Sequence, residues 1–270
     1  MNNNISILGC GWLGFPLAEF LAAKGFHVKG STKSPEKPKL LSSKNIQPFH
    51  IELNPLMVGN NIKDFFNTNL LVINIPPGGG DDKVNFHKKQ VESILNQVKR
   101  SPIAKIIFIS STSVYGNENR MVTENDGLHP EKESGKALKT VEEMLLANQS
   151  FEKTILRFAG LVDTDRNPVK FFAGRKNIPG GNIPVNLIHR EDCINIIHQV
   201  ITKNIWNEIF NACSDLHPSK KEFYTAAAEK LNLPVPEFID TDDSYKIVNS
   251  DKLKKMLSYD FIYPDPLSML

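Results

Sequence analysis

The sequence is poor in cysteine, with only Cys10, Cys193 and Cys213 among 270 residues, far apart and odd in number. They can form neither a disulfide framework nor a CxxC metal or redox pair, so a reducing, cytoplasmic compartment is expected. An excess of either charge is also missing. With 32 Lys and Arg against 30 Asp and Glu the formal charge is +2, and no global field draws in nucleic acid or an anionic membrane. No run reaches the roughly 18 apolar residues of a membrane span. The polar start, Met1 to Asn4, leads directly into a short apolar strand, without the basic region, apolar core or cleavage site of a secretory signal. The seven histidines form no HExxH or i, i+4 pair, so no metal site is expected. There is no Walker loop and no GxSxG elbow. The partner expected is a small molecule, with the chain acting as a monomer or homodimer.

What is present is an alternation of short β-branched runs with helical patterns. The runs are Ile5 to Leu8, Phe26 to Lys29, Leu70 to Ile75, Lys105 to Ser110 and Thr154 to Phe158. Helices fit between them at Trp12 to Lys24, Asn85 to Arg100 and Glu133 to Asn148. The first is stopped by Gly25 in a left-handed conformation. In the last, Leu138, Val141, Leu145 and Leu146 are read as one apolar face packing on a sheet. This order predicts an α/β fold of Rossmann type, a doubly wound parallel sheet over residues 1–160. Beyond Gly160 the texture turns to loops rich in Pro, Gly and Asn. Then come a helix near Arg190 to Lys203, a strand near Glu208 to Asn211 and a helix near Lys220 to Leu231. Residues 161–270 are expected to form a small C-terminal substrate lobe and partly to extend the sheet.

Directly after the first strand stands Gly9-Cys10-Gly11-Trp12-Leu13-Gly14, and a helix follows. Glycine here serves a tight turn, close approach of the backbone to a pyrophosphate, and close packing of helix on strand. The helix N-terminus then faces the phosphates with free N–H groups and partial positive charge. The loop is therefore read as binding a nicotinamide dinucleotide through Gly9, Gly11, Trp12, Leu13 and Gly14. An acid at the end of the second strand would bond the ribose of NAD and repel a 2′-phosphate. Ser31-Thr32-Lys33 stand there, with no acid until Glu36. NADP is the expected cofactor, with NAD the less favoured alternative.

The stretch Phe108-Ile109-Ser110-Ser111-Thr112-Ser113-Val114-Tyr115-Gly116 resembles the Ser-Ser-x-x-Val-Tyr-Gly signature of the extended short-chain dehydrogenase/reductases, the NAD-dependent epimerase/dehydratase type. Ile155-Leu156-Arg157 leading to Gly160, and Leu187-Ile188-His189-Arg190-Glu191-Asp192 before a helix, fall in the same family order. The resemblance implies that Ser111 is the catalytic hydroxyl, bonding the substrate oxygen at the reacting carbon. It also implies that Asn74-Ile75-Pro76 and Ser110 lie along the cofactor, that Glu52-Leu53 meets the adenine, and that Thr112, Ser113 and His189 meet the substrate. Read from the residues alone, the alternative for Ser111 is a strand-end hydroxyl capping a backbone group, and for His189 an anchor of the lobe.

The reactive Tyr-x-x-x-Lys pair of that family is absent. Aligned on Pro130 and Glu142, the pattern places Ser134 on the tyrosine and Leu138 on the lysine. A serine hydroxyl is far less acidic than a phenol, whose reference pKa is about 10. Three readings stay open: an NADP(H)-dependent oxidoreductase or epimerase on a small carbonyl or sugar-nucleotide-like substrate; a catalytically inactive dinucleotide sensor or regulator; and an isomerase or lyase using the cofactor only structurally.

Overall fold

The structure is a computed structural model describing residues 3–78 and 80–270. Met1 and Asn2, the first residues of the polar start read above, lie outside the described residues. In chain order the elements are β1 (Asn4–Leu8), α1 (Gly14–Ala23), β2 (His27–Thr32), α2 (Lys37–Ser43), β3 (Ile46–Leu53), β4 (Met57–Gly59) and α3 (Ile62–Phe65). There follow β5 (Leu70–Ile73), α4 (Lys83–Val98), β6 (Lys105–Ser111), β7 (Arg120–Val122), α5 (Glu133–Ala147) and β8 (Glu152–Phe158). The remainder holds β9 (Gly160–Val162), β10 (Leu187–His189), α6 (Arg190–Thr202), β11 (Glu208–Ala212), α7 (Lys220–Lys230), β12 (Lys246–Val248) and α8 (Asp251–Leu257).

Two compact units interleave along the chain. One comprises Met1–Ser110, Pro130–Leu156 and Ile197–Ile209; the other comprises Ser111–His129, Arg157–Ile196 and Phe210–Leu270. The main sheet has eight strands in the order β11-β8-β6-β5-β1-β2-β3-β4. Strands β3, β2, β1, β5 and β6 run parallel, and β4 turns back antiparallel on β3. The winding reverses beside β1, between β2 and β5, and this is where an open α/β sheet leaves a crevice beyond its strand ends. Strand β5 is buried at every position, Leu70 to Ile73, as expected of a parallel strand covered on both faces. The α/β doubly wound fold read from the sequence is thus present, and all five expected strands and all three expected helices of its first part are found within a few residues.

Strand β3 was not among the runs read from the sequence, because Pro48 interrupts it. It pairs with β2 in the register Gly30↔Pro48, while on its other side β4 pairs only with Ile51 to Leu53. Pro48 therefore sits on an open edge, where a missing N–H is tolerated. On α5 the face reading holds for Leu138, Val141 and Leu145, all buried, but Leu146 is 39% exposed. One residue further round the helix axis turns it about 100° away from the sheet.

The second unit carries two parallel pairs, β9 with β10 and β7 with β12, and a core around Val162, Leu187, Phe223 and Met269. No helix among the described residues is long and apolar enough to cross a membrane.

Candidate dinucleotide site

The loop after β1 is clasped from two sides. Gly9 N–H donates to Ser31 Oγ at 2.9 Å, Cys10 N–H donates to the Ser31 carbonyl at 2.8 Å, and the Asn74 side-chain amide donates to the Gly9 carbonyl at 2.9 Å. The clasp explains Gly9 and Gly14. Gly9 has φ +104°, and a Cβ there would lie 2.3 Å from the Asn74 carbonyl oxygen. A Cβ at Gly14 would lie 2.1 Å from the Gly9 carbonyl oxygen. One at Gly11 would meet nothing within 4 Å, so its missing side chain leaves open space rather than relieving a clash. Leu13 is the N-cap of α1 and no side chain caps that terminus. An uncapped helix start behind an open glycine is the cradle a pyrophosphate needs.

The cradle opens into a cleft of about 630 Å³, within the usual range for small-molecule sites. Ten of the residues expected at the cofactor line it: Gly9, Gly11, Ser31, Thr32, Lys33, Glu52, Leu53, Asn74, Ile75 and Pro76. Trp12, Leu13, Gly14 and Ser110 do not line it. Leu13 is buried, Gly14 packs on Gly9, and Ser110 donates from Oγ to the buried Glu142 carboxylate at 2.5 Å. Ser31 is 2% exposed and spends its oxygen on the clasp. The Thr32 hydroxyl accepts the N–H of Ser34 at 3.1 Å.

Ser34, Lys37, Asn54, Phe86 and Gln90 also line the cleft, and none was singled out from the sequence. Lys37 had a visible signal in the basic run after β2; the others come from separate loops and helices that only the fold brings together. Burial pushes the Cys10 thiol up to about 12, against the opposing pull of Lys37, which keeps sulfur neutral beside the cradle. The apolar and polar wall of Leu53, Phe86 and Gln90 is itself braced. Gln90 Nε2 donates to the Leu53 carbonyl at 2.8 Å, and its Oε1 meets His87 Nδ1 at 3.0 Å. Burial lowers the His87 pKa. A larger cleft of about 850 Å³ lies between Asn61 to Asn67 and Gln97 to Pro102, in the segments that lead into β5 and β6. It lacks a glycine cradle and no sequence motif maps to it.

In the second unit, Ser111 Oγ accepts the N–H of Ser113 at 3.2 Å and so caps the 3₁₀ turn Thr112–Val114. Thr112 is buried and Ser113 half-buried. Tyr115 is 1% exposed; it receives Arg157 Nη1 at 2.6 Å and donates to Asn211 Oδ1 at 2.9 Å. Burial raises its pKa, and the phenol is a structural post of the signature, closed to substrate. His189 is 7% exposed, with Nε2 3.7 Å from Asp163 Oδ1.

Helix α5 carries the departure from the family pattern. Leu138 is 5% exposed, and the neighbouring lysines are engaged along the helix, Lys136 with Glu133 at 2.7 Å and Lys139 with Glu143 at 3.9 Å. Neither ammonium takes the place Leu138 vacates. Among the described residues, no group of three or more His, Cys, Asp and Glu is gathered as a metal site.

A sequence model of an NAD(P)H-binding family matches residues 9–202. Protein YeeZ of Escherichia coli (strain K12) is 34% identical over 272 aligned residues, covering 98% of each chain. The UDP-glucuronic acid 4-epimerase of Bacillus cereus in complex with NAD superposes with a TM-score of 0.81 at 18% identity, over 98% of this chain and 96% of that one. The UDP-Glc/GlcNAc 4-epimerase of Campylobacter jejuni does so with a TM-score of 0.80 at 19% identity, over 98% and 96%. At that identity the two epimerases establish the fold alone. The open cradle at Gly11, the clasp that shapes it and the match over residues 9–202 converge: the chain belongs to the NAD(P)H-binding family, with the epimerase/dehydratase-like fold of the extended short-chain dehydrogenase/reductases.

Proposed function

We propose that the chain is an NADP(H)-dependent oxidoreductase or epimerase acting on a small carbonyl or sugar-nucleotide-like substrate. The observation that carries the cofactor choice is the cation pair Lys33 and Lys37 with the Ser34 and Thr32 hydroxyls on one wall of the cleft. Neither lysine enters an ion pair among the described residues. The opposing carboxylate, Glu52, stands on β3 near His50 Nε2, 3.5 Å away, rather than at the end of β2. The bound dinucleotide supplies hydride donation or acceptance. The chain's own part is to hold the pyrophosphate at Gly11, to seat the adenosine phosphate on the lysine wall, and to offer the Ser111 hydroxyl to the substrate oxygen.

A charge-assisted hydrogen bond contributes roughly 1.5 to 3 kcal/mol, so one net contact to the 2′-phosphate corresponds to about tenfold or more in affinity. Titration calorimetry is expected to give NADPH the lower Kd by at least that factor, and Lys37→Ala together with Lys33→Ala to remove most of the difference. Equal or tighter NADH binding overturns the assignment.

A second reading, a dinucleotide sensor without turnover, is favoured by the burial of Leu138 where the family's lysine belongs. The two readings part on one measurement. NADPH-dependent reduction that falls in Ser111→Ala supports the enzyme, and tight NADPH binding without turnover across a carbonyl panel supports the sensor.

A further inference from the structure

The first turn of α6 holds a carboxylate, Asp192, that is 0% exposed. Among the described residues no cation is bonded to it. Instead it accepts three hydrogen bonds from one short segment: the Tyr259 hydroxyl at 2.6 Å and the Ile262 N–H at 2.8 Å on Oδ1, and the Tyr263 N–H at 3.1 Å on Oδ2. A buried carboxylate is tolerated only when its lone pairs are met in this way, and its place in the first helical turn adds the favourable end of the helix dipole. The segment so held lays the Tyr263 ring on the His189 imidazole, with centroids 3.8 Å apart and planes at 37°. The Tyr263 hydroxyl reaches Glu191 Oε2 at 3.3 Å.

One imidazole nitrogen is hydrogen-bonded and the other faces a carboxylate. Nδ1 accepts the Glu191 N–H at 3.3 Å, and Nε2 lies 3.7 Å from Asp163 Oδ1. A ring nitrogen that accepts a hydrogen bond carries no proton, so the neutral ring holds its proton on Nε2, facing Asp163.

We propose that Asp192 is a positioning residue: it folds residues 259–263 into a strap whose Tyr263 ring seats His189 and holds it in the Nε2–H form. The strap's value to turnover rests on the reading of His189 as a substrate contact; its geometry does not. Asp192 acts at a distance from the ring, through a backbone segment that three bonds fix in place, and Tyr263 delivers the contact.

The test is NMR on the full chain with ¹⁵N-labelled histidine. In Asp192→Asn one acceptor oxygen becomes an NH2 donor, so whichever of the Ile262 and Tyr263 N–H groups faces it loses its acceptor and the segment is loosened. The Ile262 and Tyr263 amides are expected to exchange at least tenfold faster, and the His189 nitrogen shifts to move toward a mixture of tautomers. In Tyr263→Leu the backbone bonds to Asp192 remain, so those amides stay protected while the tautomer mixture still appears. Because the second variant leaves the buried carboxylate satisfied, it is informative even where Asp192→Asn does not fold. Unchanged His189 shifts in Tyr263→Leu overturn the proposal, as does unchanged amide protection in a folded Asp192→Asn. His189→Ala with unaltered kcat/KM on a reducible carbonyl would dismiss the substrate role while leaving the strap standing.

Discussion

A Cβ at Gly9 would lie 2.3 Å from the Asn74 carbonyl oxygen and one at Gly14 2.1 Å from the Gly9 carbonyl oxygen, whereas one at Gly11 would touch nothing. Substitution should therefore separate folding from binding within six residues. Gly11→Leu is expected to melt within a few degrees of the parent yet show no NADPH binding by calorimetry, because the side chain fills the pyrophosphate path. Gly9→Ala and Gly14→Ala meet rigid backbone, and Gly9 also loses its left-handed freedom; strain and overpacking of this kind cost roughly 2 to 5 kcal/mol, measurable by urea unfolding. A Gly11→Leu variant that binds tightly would show the loop to be only a turn. Acid sensitivity belongs to this scale too. The Thr123 N–H, the Arg120 guanidinium and the Thr123 hydroxyl hold the Asp126 carboxyl down at about 2. A carboxyl depressed in the folded state stabilises above its ordinary pKa and loses that contribution as pH falls through the folded one. Melting temperatures of the parent and of Asp126→Asn should therefore differ above about pH 4 and converge toward pH 2. A constant difference across that range would refute the account.

On α5 the positions Ser134, Leu138 and Glu142 recur every four residues along one face. Glu142 is fully buried and tied to Ser110 at 2.5 Å, so a lysine introduced at 138 would have a carboxylate one turn away. Leu138→Lys alone should lower the melting temperature, since an ammonium replaces a buried side chain. Ser134→Tyr with Leu138→Lys restores a phenol and its cation on the helix. General acid–base groups contribute typically 10² to 10⁴-fold, so the double variant is expected to raise NADPH-dependent carbonyl reduction by about tenfold or more over the parent, in steady-state assays. Robust turnover by the parent that persists in Ser111→Ala would instead place the chemistry on other residues. The missing pair was legible from residue order alone, because a motif of fixed spacing on one helix needs no tertiary information. The engagement of Lys136 and Lys139 with Glu133 and Glu143 was not: i, i+3 and i, i+4 partners compete with any tertiary use of the same ammonium, and only coordinates show which one wins.

For the molecule as a whole, a ligand that binds only the folded state stabilises it by about 2.7 kcal/mol at one hundred times its Kd. NADPH at that excess should raise the melting temperature by roughly 5 °C or more, and Gly11→Leu should abolish the shift. Absence of a shift for the parent would count against the cradle itself. The sequence alone determined the fold class, the glycine turn and the lost reactive pair, since each is written in contiguous residues whose period or spacing carries its own physics. Strand β3 escaped it because Pro48 is acceptable only on an open edge, and an edge is a property of the sheet. Ser34, Phe86 and Gln90 escaped it because they are 4 to 56 positions apart and meet only in the folded cleft. Tertiary structure also decided Ser31, whose oxygen is taken by Gly9, and Tyr115, whose phenol is closed off by Arg157 and Asn211. In both cases the side chain's chemistry is fixed by its type, but its availability depends on which distant donor or acceptor the fold brings to it.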